Sequence, residues 1–328
     1  MNQKIKIGIC GYGNMGKGVE IGINDNPDME LVAIFTRRKP ATSLQIQSNA
    51  PVIHLDSVLE WKDKIDVMIL CGGSANDLPV QGPELAKHFN TVDSFDTHAK
   101  IPDYMNAVDA SAKGGNHISV LSTGWDPGLF SLLRLYMDAV LPNGNTTTFW
   151  GKGVSQGHSG AIRGIDGVED AIQYSIPVDA AMQRVRSDEN AVLSTREKHT
   201  RVCYVVAASG ADQKRIEKEI KEMPHYFADY DTTVHFISSE ELKANHSKLM
   251  HGGNVIHIGK TGDANKHVVE FSLQLDSNPE FTASVLLACA RAAFRLAAKG
   301  ECGARTIFDI PPILLSKMEA SEAVKILL

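Results

Sequence analysis

The chain has 328 residues, 43% of them apolar and 22% charged, with a formal net charge of −6. That length and apolar content suit two domains, or one large domain with an insertion. The mild acidic excess gives no electrostatic basis for binding nucleic acid or an anionic membrane surface. The five cysteines, Cys10, Cys71, Cys203, Cys289 and Cys302, are odd in number and form no C-x-x-C pair, which reads as reduced thiols and a cytoplasmic protein. No signal peptide fits an N-terminus that opens straight into a strand, and no apolar stretch reads as long enough to span a membrane.

The first third alternates strands with helical patterns. Ile5 to Cys10 reads as a buried strand, followed at once by Gly11-Tyr12-Gly13-Asn14-Met15-Gly16 and then an amphipathic run. Leu31 to Phe35 reads as a second strand, ending in Thr36-Arg37-Arg38. Strand, G-x-G-x-x-G, helix, strand is the dinucleotide-binding pattern in its proper setting. Gly11 permits the tight turn, Gly13 lets a pyrophosphate approach the backbone, and Gly16 lets the helix pack close to the sheet. The phosphates would then meet the free N–H groups at the helix start. A carboxylate at the end of the second strand would accept from the ribose hydroxyls and repel a 2′-phosphate. Thr36, Arg37 and Arg38 do the opposite, so the cofactor read from these residues is NADP. The plainer alternative is two solvated surface arginines.

Three further strands follow. Asp66 to Cys71 runs into Gly72-Gly73-Ser74, Thr91 to Ser94 ends at Phe95-Asp96, and His117 to Leu121 ends at Ser122-Thr123-Gly124-Trp125-Asp126-Pro127. This order predicts an α/β fold, a Rossmann-type doubly wound parallel sheet, with ligands beyond the carboxyl ends of its strands. The cofactor-binding candidates are therefore Gly11, Tyr12, Gly13, Asn14, Met15, Gly16, Thr36, Arg37 and Arg38. To these the later loops add Cys71, Gly72, Gly73, Ser74, Ser94, Phe95, Thr123, Gly124, Trp125, Asp126 and Pro127.

The middle of the chain changes character. Thr146 to Gly151, Val202 to Val206, Thr232 to Ile237 and His267 to Leu275 read as strands, and Asp212 to Met223 as a helix with Ile216, Ile220 and Met223 on one stripe. The alternation in His267 to Leu275 predicts one face wet or packed on a partner. The segment reads as a second, α+β domain on a mixed or antiparallel sheet. Asn278-Pro279 starts a long alanine-rich helix that runs to about Lys299 and stops at Gly300. The expected division is 1–122 for the dinucleotide-binding domain, completed by about 279–328, and 123–278 for the substrate-binding domain.

Several blocks resemble one family. Asp93 to His98, Ser122 to Gly128, Phe149 to Gly153, Ser155 to Ser159, His251 to Gly253 and Ser277 to Phe281 are similar, in order, to the meso-diaminopimelate dehydrogenases. The resemblance covers nearly the whole chain. It implies a homodimeric NADP-dependent enzyme of lysine and cell-wall precursor metabolism, with the second domain also serving dimerisation. The implied reaction is reversible oxidative deamination at the D-centre of meso-2,6-diaminopimelate, giving L-2-amino-6-oxopimelate, which cyclises to tetrahydrodipicolinate, and ammonia. The resemblance places Asp96, Trp125, Asp126, Trp150, Gln156 and Gly157 at the D end, with Asp96 and Asp126 holding the reacting ammonium. Asp126 either assists proton removal or only orients. It places Ser175, Arg201, His251 and Asn278 at the L end, where a guanidinium suits bidentate pairing with a carboxylate.

Each choice has a plainer rival. Arg201 belongs to a run with Arg184, Arg186, Arg196 and Lys198 that reads as a solvated basic face. Asn278 before Pro279 is a natural helix N-cap, and His251 a surface-loop histidine. Trp125 and Trp150 suit a plain core, and Asp126 before Pro127 a turn. Two positions depart from the family pattern: Ser175 replaces a threonine, and Gly160 stands where an aspartate is usual, which predicts wider tolerance for other D-amino acids. His246, His251 and His257 lack metal-site spacing, so no metal is expected. Ser122, Ser155 and Ser159 lack a nucleophile-elbow context. The alternatives are another NADP oxidoreductase of this architecture, such as a broader D-amino acid dehydrogenase, a dihydrodipicolinate reductase or a sugar dehydrogenase, and a non-catalytic NADP sensor.

Overall fold

The computed structural model describes residues 4–38, 44–188 and 190–328. Its strands in chain order are β1 (Ile5–Cys10), β2 (Met29–Thr36), β3 (Val52–His54), β4 (Val67–Leu70), β5 (Thr91–Asp93), β6 (Ile118–Val120), β7 (Gly144–Trp150), β8 (Gly153–Val154), β9 (Val168–Pro177), β10 (His199–Ala207), β11 (Asp231–Phe236), β12 (His251–Thr261), β13 (Asn265–Leu275) and β14 (Gly303–Arg305). The chain forms two compact units. One runs up to Leu132 and includes Pro279–Leu328; the other is Leu133–Asn278.

In the first unit the described residues form a seven-stranded sheet, order β14-β6-β5-β4-β1-β2-β3, with every neighbouring pair parallel. Strands buried on both faces must be apolar on both faces, which is why β1 and β4 read as continuous hydrophobic runs. Ile7, Ile9, Val67, Ile69 and Val92 pack on one side, and Cys10, Phe35, Met68 and Leu70 on the other. Strand order reverses between β1 and β4, and ligands of such sheets bind beyond the strand ends at that point. The α/β doubly wound expectation holds. The sequence reading passed over β3 and β14, three residues each and without a periodic signal of their own.

The Asn278–Ala298 helix lies on the first face, with Ala283, Leu286, Leu287, Ala290 and Ala293 fully buried. It approaches the Asn14–Ile23 helix closely. A Cβ at Gly18 would sit 2.9 Å from the Pro279 carbonyl oxygen, and one at Gly22 2.7 Å from a Leu287 methyl. By length and composition this helix could cross a membrane, contrary to the sequence reading, but more than half of its most apolar window is buried in the protein.

The second unit carries two sheets where the sequence predicted one. The four-stranded sheet, order β11-β10-β9-β8, is mixed: β10 and β11 are parallel and the other pairs antiparallel. The three-stranded sheet, order β13-β12-β7, is antiparallel. The central strand β12 was passed over because Gly252, Gly253 and Gly259 weaken a strand signal. One of those glycines is required, since a Cβ at Gly252 would lie 2.3 Å from the Leu273 carbonyl oxygen. The Gln213–Glu222 helix forms as expected, with Asp212 capping it through Lys214 and Arg215 N–H at 3.0 and 3.1 Å, and Ile216 and Ile220 buried. Strand β13 is exposed on both faces over its first six residues, with Val268 and Val269 among its exposed side chains.

Candidate active site

The first group of candidate residues lies at the carboxyl ends of the parallel strands of the first unit. Gly11 adopts φ +97°, and a Cβ there would meet the Cys71 and Gly72 backbone at 3.1–3.3 Å. A Cβ at Gly16 would lie 2.3 Å from the Gly11 carbonyl oxygen, whereas one at Gly13 would meet nothing. The loop is therefore closed toward the sheet and open over the start of the Asn14–Ile23 helix, where Asn14 and Met15 are the first helical residues and no side chain caps the N-terminus. Donors left unpaired there suit an anion. Tyr12 turns inward: its ring is buried in the core, and its hydroxyl donates to Glu20, which also accepts from the Ser48 hydroxyl at 2.6 Å.

The loops are laced to one another. Gly11 N–H donates to the Phe35 carbonyl at 2.8 Å, and Cys71 N–H to the Cys10 carbonyl at 2.7 Å. Thr36 is buried and its hydroxyl accepts Arg38 N–H at 3.1 Å, while Arg37 and Arg38 are exposed. Arg37 pairs with Asp77 at 2.8 Å, and Asp77 accepts Gly73 N–H at 2.9 Å. Asp96 is exposed, and its N–H donates to the Ser74 hydroxyl at 2.8 Å. Asp93 is fully buried and accepts Phe95 N–H at 2.9 Å, Ser122 N–H at 3.1 Å and the Tyr104 hydroxyl at 2.7 Å. Burial pushes its carboxyl up against those three donors. One carboxylate thus ties the Ser94–Asp96 loop to the Ser122–Pro127 loop. Phe95 stacks on Tyr104 at 4.1 Å in the core. Thr123 donates to Cys289, and a Cβ at Gly124 would meet Thr282 at 3.2 Å, so both lie against the long helix. Trp125 is buried edge-on to Phe130 at 5.3 Å, and half-buried Asp126 is joined to Pro127 by a cis peptide.

The second group lies in the second unit. Arg201 on β10 and Ser175 on β9 face each other across the antiparallel pair, both buried, and Arg201 Nη1 donates to the Ser175 hydroxyl. The guanidinium stacks on the Tyr230 ring, 3.8 Å from its centroid. Among the described residues no carboxylate pairs with Arg201, whereas its sequence neighbours are surface partners: Arg184 with Glu197, Arg186 with Glu270, Arg196 with Asp231. The solvated-face reading fits those arginines and not Arg201. Burial presses the Arg201 guanidinium below its usual range. His251 opens β12, accepts Gly252 N–H at 2.8 Å on Nδ1, and packs against Gly153, which is paired with Ser175. Asn278 is the first residue of its helix, and its N–H donates to the Leu249 carbonyl at 2.9 Å, two residues before His251. Trp150 ends β7, partly exposed; its N–H donates to His199 Nε2 at 2.9 Å and its ring stacks on that imidazole. Gln156 and Gly157 are exposed and open the Gln156–Arg163 helix, capped by Ser155. Gly160 is exposed on the same helix, and a Cβ there would meet only Arg163 at 3.9 Å.

Three histidines are held neutral around the Arg201 charge. Burial first, and Arg201 second, bring His158 and His199 down to about 4; burial also lowers His251, against a Gly252 backbone hydrogen bond and with a smaller push from Arg201. Among the described residues no three His, Cys, Asp or Glu side chains cluster as metal ligands.

The family described as Diaminopimelic acid dehydrogenase C-terminal domain matches residues 124–277. The meso-diaminopimelate D-dehydrogenase of Ureibacillus thermosphaericus is 61% identical over 326 residues, 99% of this chain and 100% of that protein. The chain belongs to the diaminopimelate dehydrogenase family. Among solved structures, a six-fold substituted meso-DAP dehydrogenase from Clostridium tetani E88 with DAP superposes with a TM-score of 0.94 at 54% identity, covering 99% of this chain and 100% of that one. An engineered D-amino acid dehydrogenase bound to NADP+ gives 0.87 at 40% identity over the same shares.

Three residues with evident structural roles in this family member escaped the sequence reading. Asp93, the last residue of β5, ties the Ser94–Asp96 loop to the Ser122–Pro127 loop and had its position at a strand's carboxyl end as its signal, while Asp77, at the start of the Leu78–Ala86 helix, pairs with Arg37 and had no such signal. His199 shares the two-residue alternation of β10 with Arg201, so both belong to one face. A reading that placed the strand's start at His199 would have found it.

Proposed function

We propose that this chain catalyses NADP-dependent oxidative deamination of meso-2,6-diaminopimelate at its D-centre, yielding L-2-amino-6-oxopimelate and ammonia. The observation that carries this reading is Arg201, a buried guanidinium with no acidic partner among the described residues, beside a buried serine. An uncompensated buried cation is a receptor for a substrate anion, and its fork fits a carboxylate. With it, Ser175, His251 and Asn278 bind the substrate's L end. Asp96 and Asp126 hold the D-end ammonium, and Trp125, Trp150, Gln156 and Gly157 shape and line that end.

The glycine loop fits a dinucleotide, because it is open where phosphates would approach and presents uncapped helix N–H groups. Arg37 and Arg38 provide for a 2′-phosphate. NADP supplies the hydride acceptor. The chain's part is to fix one stereocentre by gripping the far end of the diacid, and to hold the ammonium on carboxylates. Asp126 is the residue suited to take its proton. The amine must be neutral before hydride leaves, so deamination is favoured by alkaline conditions. Tetrahydrodipicolinate forms by cyclisation of the product. We further read the enzyme as a homodimer, and as cytoplasmic; its five cysteines are all free.

The test is NADPH formation with meso-diaminopimelate, followed at the nicotinamide absorbance across neutral to alkaline pH. A saturated enzyme that forms none overturns the reading in favour of a sensor or a related reductase.

A further inference from the structure

The face of the four-stranded sheet that carries Arg201 changes along its length. Its inner row is apolar, with Phe236, Val205 and Ala171 side by side over Ile216, Ile220 and Phe227. Its outer row is polar, with Thr232, Arg201 and Ser175 side by side. Between them lies Val234, Cys203 and Gln173.

Gln173 is fully buried, and neither Oε1 nor Nε2 has a hydrogen-bond partner. Arg201 Nε and Thr232 Oγ1, also buried, have none either. Four of the six unpartnered buried side-chain atoms in the described residues thus fall on two adjacent rows of one sheet face. Buried polar atoms are nearly always satisfied, and an amide with both ends open destabilises the fold that holds it. The backbone of Gln173 is fully engaged, with N–H to the Ser159 hydroxyl at 2.9 Å and the carbonyl accepting Ser155 N–H at 3.0 Å. Ser155 caps, and Ser159 lies within, the helix that carries Gln156 and Gly157, so the position of Gln173 is fixed while its amide remains available. Gln173 opposes Cys203 and is the diagonal neighbour of Arg201, within reach for two long side chains. Arg201 already has Nη1 on Ser175 and its face on Tyr230. Its Nε–H needs an acceptor, and Gln173 Oε1 is an acceptor that lacks a donor.

We propose that Gln173 is the positioning residue of the Arg201 carboxylate receptor. Its Oε1 takes Arg201 Nε–H across one buried water, and so keeps the rest of the fork turned to the substrate carboxylate. Thr232 serves the same network from the other side of Arg201. This rests on the reading of Arg201 as the substrate's carboxylate receptor.

The test is Gln173→Met, close in volume and without the amide, assayed with the NADP-loaded enzyme. KM for meso-diaminopimelate rises about tenfold, kcat stays within about twofold and KM for NADP is unchanged. Thr232→Val moves KM the same way by a smaller factor, and decides the matter should Gln173→Met not fold. An unchanged KM in both, or a fall in Tm with both KM values rising together, overturns the proposal and marks Gln173 as structural. A parent enzyme that leaves meso-diaminopimelate untouched overturns the functional reading instead, and this proposal with it.

Discussion

Replacing Arg201 with methionine separates function from stability. The guanidinium is buried, stacked on Tyr230 and hydrogen-bonded to Ser175, with no acid beside it among the described residues. Two parallel charge-assisted bonds to a carboxylate, at about 1.5–3 kcal/mol each, amount to about 3–6 kcal/mol. At about 1.4 kcal/mol per tenfold, kcat/KM for meso-diaminopimelate falls by roughly 10²–10⁴. In the proposed role Arg201 holds the substrate's L-end carboxylate and not the reacting D-centre, so most of the loss appears in KM. Arg201→Lys keeps the charge and loses the fork, and falls about 10–100-fold. Stability moves the other way. Removing a buried, unpaired charge offsets the lost serine bond and ring contact, so Arg201→Met unfolds at the same temperature as the parent or higher. Steady-state kinetics with both substrates varied, beside thermal unfolding, decide it. A methionine variant with unchanged KM and lowered Tm would refute the assignment and make Arg201 a structural residue.

Exchanging Arg37 and Arg38 for serine weakens NADP by about 1.5–3 kcal/mol per lost phosphate contact and leaves NAD nearly unaffected; equal losses in a nucleotide titration contradict the 2′-phosphate role. Gly160→Ala raises Tm through about 0.5–1 kcal/mol, because the position is exposed, mid-helix and open to a Cβ. Gly160→Asp narrows the substrate range, measured as kcat/KM for D-lysine and D-alanine against meso-diaminopimelate; undetectable turnover of both by the parent removes the basis for broad specificity. His158 and His199, near 4 in the fold against about 6.5 unfolded, are neutral in the native state. The unfolded chain therefore binds more protons between those values, and stability falls as pH drops from about 6.5 to 4, by up to about 3 kcal/mol per histidine, and no further below. Denaturant unfolding at pH 7 and 4.5 shows the slope, and His158→Phe or His199→Phe reduces it.

The first unit was readable because each of its signals is local. A buried parallel strand is an unbroken apolar run, and the glycine loop needs its residues in one short stretch. The second unit was harder because its polar and glycine-bearing strands derive their order from partners distant in sequence. Gln173 in β9 and Gly252 in β12 look like loop residues until Cys203 and Leu273 are placed against them. The same limit applied to the site. Arg37 and Arg38 could be read from the strand they follow, but only the family resemblance, not its own pattern, set Arg201 apart from Arg184, Arg186 and Arg196. What separates them is that the others face Glu197, Glu270 and Asp231 while Arg201 is buried. Among the histidines of the second unit, His251 was picked out by the block around it, while His199 needed the start of β10 to be placed correctly, and its role shows in the Trp150 N–H it accepts.

The charge around Arg201 also sets the proton balance of substrate binding. His158 and His199 are depressed first by burial and second by the guanidinium; in His251 burial lowers, a Gly252 backbone hydrogen bond opposes it, and the guanidinium lowers further. A carboxylate docked on Arg201 cancels the second cause and leaves the first. The His158 and His199 values then rise part of the way toward 6.5 without reaching it, and His251 moves in the same direction. A complex whose histidines titrate higher than those of the free enzyme holds more protons, so binding takes up protons in the window from about 4 to 6.5 and affinity strengthens as pH falls through it. Above pH 8 all three are neutral in both states and the effect vanishes. Calorimetric titration of the NADPH-loaded enzyme with meso-diaminopimelate, in two buffers of different ionisation heat, measures this directly. Fractional uptake at pH 5.5 is expected, and it disappears in Arg201→Met if that variant binds at all. Proton release at pH 5.5, or uptake that survives the loss of Arg201, would show that the guanidinium is not what the carboxylate neutralises.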